Sequence, residues 1–110
     1  MKTIATATIV FPALTEKEVE GFDRFLRTIL WEDTLPDDKP HTPFEIHRLK
    51  GRIPVKGGNV LLLQGVRNIY DMTEGKPSGA ADEEAKLVLI GRGVDQDAFR
   101  ESLLTALATR

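Results

Sequence analysis

His41 and His47 are the two imidazoles of this chain, and His47 stands two residues after Glu45 and directly before Arg48. Residues two apart on an extended segment project from one face. Glu45 and His47 are therefore the pair whose types and spacing best suit metal ligation or proton transfer. A zinc site would need both histidines with a carboxylate from Glu45 or Asp38. The chain has no cysteine to add a thiolate, and no closely spaced ligand cluster exists, so a solvent-facing polar pair is the plainer reading. Glu45, His47 and Arg48 are also the convergent polar groups that a small ligand pocket would use.

A second candidate is electrostatic. Phe44, Ile46, Arg48 and Lys50 share one parity, so an apolar strand face is expected to turn basic toward its end. Arg67 and Arg92 add cations near other strand ends. This pattern suits an anchor for an acidic partner or a phosphate; the plainer alternative is a set of surface ion pairs.

Other motifs fail on spacing. Gly91-Arg92-Gly93 opens like a dinucleotide fingerprint, but Gln96 stands where the third glycine belongs and Asp95 puts negative charge where pyrophosphate would sit. A tight turn is expected there instead. Gly75-Lys76-Pro77-Ser78 has Tyr70 where a phosphate loop needs its first glycine, and Pro77 in place of the magnesium-binding hydroxyl. Glu32, Asp33, Asp37 and Asp38 do not match a calcium loop. Neither Ser78 nor Ser102 sits in a nucleophile elbow.

The elements that must position these residues follow from periodicity and punctuation. Thr3 to Phe11 reads as a strand ended by Pro12. Thr15-Glu16-Lys17-Glu18 is a capping box, and a helix follows with Val19, Phe22, Phe25, Leu26, Ile29 and Leu30 on one stripe. It should stop near Trp31, which is read with the helix aromatics as core. Glu32 to Pro43 is an acidic, proline-bearing loop. Phe44 to Lys50 is a strand. Arg52 to Lys56 and Val60 to Leu63 flank Gly57-Gly58-Asn59, a hairpin signal, with Pro54 marking the first arm as an edge or a bulge. The second arm is expected to run on past Gly65 to Thr73 as one bent strand. Glu74 to Glu84 is a loop, Leu87 to Gly91 a strand, and Asp95 caps a helix carrying Phe99, Leu103, Ala106 and Leu107.

Two helices are too few to alternate with every strand. The expected fold is α+β, two-layered: a mainly antiparallel mixed sheet with both helices on one face, in the order β-α-β-β-β-β-α. At 110 residues the whole chain, 1–110, is one domain. A formal charge of -2 argues against a phosphate-backbone binder. No apolar run approaches the roughly 18 residues of a membrane span, and the N-terminus lacks the pattern of a secretion signal. The expectation is a cytoplasmic protein with neither nucleic acid nor membrane as partner.

Leu61-Leu62-Leu63 and Leu87-Val88-Leu89-Ile90 are apolar at successive positions, which on a strand means on both faces. Either the chain roofs the second face itself or another protein covers it.

Several segments resemble, in order and spacing, the C-terminal domain of CobW-type GTPases, in the branch of zinc-regulated GTPase metalloprotein activators. They are Ile9-Val10-Phe11, Phe25 to Leu30-Trp31, Glu45-Ile46-His47-Arg48-Leu49-Lys50-Gly51, Leu63-Gln64-Gly65-Val66-Arg67-Asn68-Ile69-Tyr70-Asp71, and Leu87-Val88-Leu89-Ile90-Gly91-Arg92. The resemblance implies a two-domain protein, with a P-loop GTPase and Cys-x-Cys-Cys metal motif ahead of a small α/β domain, delivering zinc to a client such as a methionine aminopeptidase. GTP, magnesium and zinc are thereby implied for a full-length relative only. This chain has neither the phosphate loop nor a cysteine, so no catalytic, cofactor-binding or metal residue carries over. What carries over is a non-catalytic regulatory or docking role toward a P-loop GTPase domain, in cis or in trans, and toward a client metalloprotein. Arg48, Lys50, Leu61, Leu63, Gln64, Arg67, Tyr70 and Arg92 are the expected interaction residues. The alternative is an independent ligand-binding module or enzyme with its pocket near Glu45, His47 and Arg48.

Overall fold

The structure is a computed structural model and describes residues 3–36, 43–76 and 83–108. Seven elements follow in the expected order: β1 (Ile4–Phe11), α1 (Glu16–Trp31), β2 (Glu45–Pro54), β3 (Val60–Val66), β4 (Ile69–Gly75), β5 (Ala85–Arg92) and α2 (Gln96–Ala108). The strands form one open sheet in the order β1-β5-β2-β3-β4. Every neighbouring pair is antiparallel. β1 and β2 both run against β5, so they are parallel to each other with β5 inserted between them and α1 as their connection.

Both helices begin on side-chain caps. The Glu18 N–H donates to the Thr15 hydroxyl at 3.3 Å while the Glu18 carboxylate accepts the Thr15 N–H at 2.8 Å, closing the expected box. The Asp95 carboxylate accepts the N–H groups of Asp97 and Ala98 at 3.0 and 3.2 Å. The helices cover one sheet face. Ala7, Ile9 and Phe11 of β1, Leu87 and Leu89 of β5, Leu49 and Ile53 of β2 and Leu63 of β3 point into a core completed by Phe22, Phe25, Leu26 and Ile29 of α1 and Phe99 and Leu103 of α2. Each of the Leu, Ile and Phe side chains contributes roughly 1.5–3 kcal/mol by leaving water. Phe11 meets Phe22 at 5.9 Å, and Phe44 meets Phe99 edge-on at 4.8 Å. The helices cross closely at Gly21, where a Cβ would stand 2.9 Å from the Ala106 carbonyl oxygen.

Five local expectations change. The segments 44–50 and 52–56 are one strand through Gly51. β2 lies inside the sheet, not at an edge, and Pro54 is its last residue, where its carbonyl accepts the Leu14 N–H at 3.0 Å. The expected bent strand past Gly65 is instead a hairpin: Val66 pairs with Ile69 across Arg67-Asn68, and β4 runs back along β3. The parity of β2 breaks at His47, where the register with β5 shifts between Ile46 and Arg48. This bulge leaves Phe44 and Ile46 buried and sends Arg48 and Lys50 to the opposite, helix-free face. Trp31 is 57% exposed and not core.

Candidate functional site

The groove on the helix-free face is built from alternate residues of four of the five strands. Cross-strand pairing sets Ile90, Arg48, Val66 and Ile69 in one row. Val88, Lys50, Gln64 and Asp71 form the next row. They line an open groove of about 700 Å³ that runs from β5 across β2 and β3 to the β3–β4 turn. Val88 and Ile90 are half-buried, and Val66 and Ile69 are exposed. The groove thus has an apolar flank on β5, a second at the β3–β4 turn, and a basic column on β2 between them.

The expectation of hydrocarbon on both faces is corrected by this pairing. Leu63, Leu87 and Leu89 belong to the core, and Leu61 packs against it half-buried. Only Leu62, Val88 and Ile90 of those two runs point outward, interleaved with Arg48, Lys50, Arg52, Lys86 and Arg92. Among the described residues, no part of the chain lies over the groove as a roof.

The charges on this face are unevenly satisfied. Arg52 donates to Glu83 at 2.8 Å, and Arg27, on α1, pairs with Asp23 at 3.2 Å. Among the described residues, Arg48, Lys50, Lys86 and Arg92 form no ion pair. Arg48 and Lys50 lie roughly 7 Å apart along one strand face, where two like charges in water repel by about 0.6 kcal/mol.

The bulge builds a second, smaller feature at one end of the sheet. The His47 ring lies 2.5 Å from the Glu45 carboxylate, which also accepts from the Arg67 guanidinium at 3.3 Å. The Arg67 N–H donates to the His47 carbonyl at 3.0 Å. Hydrogen bonds from His47 and then Arg67 hold the Glu45 carboxyl below its usual range. Glu45 and Arg67 also border a cleft of about 310 Å³ beside Ile29, Trp31, Asp33 and Asn68. The Trp31 indole N–H donates to the Asn68 carbonyl at 2.8 Å, and its ring tilts against Tyr70 at 6.1 Å. The Tyr70 hydroxyl donates to Asp23 at 2.6 Å. Burial and then that carboxylate push Tyr70 up to about 12. These contacts fasten the end of α1 to the β3–β4 turn.

The expected site residues therefore divide. Arg48, Lys50, Gln64, Arg67 and Tyr70 line the groove. Arg92 shares the face at the far end of β5. Leu63, 3% exposed, is beneath the sheet with the core, and the half-buried Leu61 packs on the same side; alternation along β3 places both opposite the groove. Glu45 borders the smaller cleft and Arg48 the groove, with Arg67 bordering both. His41, Asp37, Asp38, Pro77 and Ser78 lie outside the described residues. Among the described residues no group of three or more His, Cys, Asp or Glu could hold a metal ion. The Glu45 carboxylate of the Glu45–His47 pair is shared with the Arg67 guanidinium. Ser102 is fully buried in α2, and Gly93, at φ 67, makes the expected tight turn. Val66, Ile69 and Asp71 were not singled out by residue type. The signal that reveals them is the pair Arg67-Asn68 between β-branched neighbours, a two-residue hairpin without glycine.

The family described as cobalamin synthesis protein cobW C-terminal domain matches residues 13–107. The chain is 38% identical over 107 residues to zinc-regulated GTPase metalloprotein activator 1 of Saccharomyces cerevisiae, a match covering 87% of this chain and 25% of that protein. It thus spans about a quarter of the length of that curated relative. Its fold matches the crystal structure of Zn(II)-bound YjiA GTPase from E. coli with a TM-score of 0.67 at 21% identity, over 94% of this chain and 29% of that one. A Zn(II)-bound triple mutant of the same GTPase matches equally.

Proposed function

Because this chain belongs to the cobalamin synthesis protein cobW C-terminal domain family, we propose that it is the non-catalytic interaction and regulatory domain of a GTP-dependent metallochaperone. In this reading a P-loop GTPase domain, in cis or in trans, supplies nucleotide and metal chemistry, with zinc as cargo for a client metalloprotein, a methionine aminopeptidase being one such client. The setting would be the cytoplasm. The observation that carries the reading is the open groove across β5, β2, β3 and β4, where apolar flanks and uncompensated cations face solvent on a chain of net charge -2. Exposed apolar surface rimmed by polar groups is what a docking face offers. The relative's printed name, a zinc-regulated GTPase metalloprotein activator, supports the class of partner.

The division of labour has a direct test. The chain alone should show no heat of GTP binding in calorimetry, and should co-purify with a separately produced GTPase domain of the zinc-regulated relative. Micromolar GTP affinity of the chain alone, or no association with that domain, would overturn the proposal. The competing ligand-module reading has less support, since Glu45 and Arg48 border different depressions.

A further inference from the structure

We infer that the groove on the helix-free face receives an acidic, amphipathic segment of a partner protein, with carboxylates over the β2 column and apolar side chains on either flank. The inference rests on the docking reading above and specifies the chemistry of what docks. Its basis is charge complementarity. Arg27, Arg52 and Arg67 each have a carboxylate partner, whereas Arg48 and Lys50, at the centre of the groove, have none among the described residues. Lys86 and Arg92 extend the same unpaired charge along β5. Among the described residues unpaired cations also stand on the helices (Lys17, Arg24 and Arg100), but on the helix-free face they form a column beside apolar flanks.

The flanks specify more than charge. Val88 and Ile90 border the column on one side, Val66 and Ile69 on the other. A purely ionic ligand would leave these exposed, whereas a segment alternating acidic and apolar groups covers both. Asp71 lies in the floor beside Gln64. It disfavours a dense anionic surface such as a lipid headgroup layer, but tolerates a peptide whose amides can reach it. A phosphate has no helix N-terminus or glycine-rich loop to receive it here.

The test uses the full chain, labelled with nitrogen-15, and a synthetic peptide of glutamate and leucine of about 14 residues, roughly 21 Å as a helix. That length crosses four strands about 4.8 Å apart. Saturable amide shifts are expected at residues 48–50, 64–71 and 88–90. Binding should weaken about tenfold in Lys50→Glu, equivalent to 1.4 kcal/mol. It should weaken less in Lys50→Gln, and should fall further as salt shortens the screening length. Thermal melts establish that both variants fold. Equal binding of the same peptide with glutamine for glutamate would overturn the inference. So would shifts on the helices, or shifts caused only by phosphatidylserine vesicles. Shifts that grow with protein concentration alone would assign the groove to a second copy, and would equally overturn it. If the GTPase domain binds but neither the peptide nor Lys50→Glu affects that binding, the acidic-segment inference falls and the docking role stands.

Discussion

Replacing Gly91 by alanine probes the joint that decides which way β2 faces. Gly91 of β5 pairs with Ile46, the residue before the bulge. A Cβ built on it would lie 1.9 Å from the Glu45 carbonyl oxygen and 3.0 Å from the Ile46 Cα. Both obstacles are backbone, so no side chain can swing aside. Restoring ordinary contact needs a displacement of roughly 1.5 Å between two strands that sit about 4.8 Å apart. That displacement breaks ladder hydrogen bonds worth about 1 kcal/mol each and leaves buried partners unpaired at about 1–3 kcal/mol. Gly91→Ala should therefore lose about 3 kcal/mol or more, a large share of the roughly 5–15 kcal/mol that holds a domain together. Urea unfolding followed by circular dichroism measures it, with an unchanged slope expected if the denatured state is unaffected. Gly58→Ala is the control, since its Cβ meets only Val55 at 3.9 Å, and it should stay within about 0.5 kcal/mol of the parent. A loss below about 0.5 kcal/mol in Gly91→Ala would refute the strand register at the bulge, and with it the placement of Arg48 and Lys50 on the open face.

Arg67 adopts φ 58, so Arg67→Gly should relieve strain by about 1 kcal/mol while losing an exposed ion pair worth about 0.5 kcal/mol; its melting midpoint should rise by about 2–4 °C, and a fall would contradict the turn geometry. The Tyr70 phenol titrates higher in the folded chain than its ordinary 10.0, at about 12, so the unfolded chain releases that proton first and stability should decline as pH rises between those values. Tyr70→Phe should lose about 1 kcal/mol with the Asp23 hydrogen bond and remove most of that alkaline decline; a parent-like pH profile would contradict the bond. Leu63→Ala should cost about 2–5 kcal/mol as a core cavity, whereas Leu62→Ala, 40% exposed on the other face, should cost under about 1 kcal/mol. Equal losses in urea melts would contradict the facing of β3.

Where local chemistry decides structure, the residues could be read directly. Thr15 and Glu18 close the capping box, Asp95 opens α2, and Gly57 at φ 74 turns the β2–β3 hairpin. The core stripe of α1 follows from spacing alone, whereas the count of strands agrees only because one merged strand offsets one divided strand. What escaped reading is decided by pairing between distant segments. Nothing in Glu45-Ile46-His47-Arg48 marks a bulge; the extra residue is visible only against Gly91 and Ile90 of β5. Simple alternation therefore placed Arg48 on the face of Phe44. The run Leu61-Leu62-Leu63 has no parity of its own, and only its register with β2 sends Leu62 outward and its neighbours inward. The turn at Arg67-Asn68 lacks the glycine that usually announces positive φ, so the sequence alone reads as continuous strand there. Trp31 carries a large apolar ring, yet it sits at a helix end, where its N–H reaches Asn68 and its face remains wet.

The family relationship fixes what kind of domain this is; the open groove is where the proposed docking is expected to lie. The most direct measurement is an amide-shift map of the nitrogen-15-labelled chain mixed with a GTPase domain of the zinc-regulated relative, with and without GTP. The expected result is a saturable footprint on residues 48–50, 64–71 and 88–90 whose strength depends on the nucleotide. A footprint confined to α1 and α2, or no footprint at all, would contradict it.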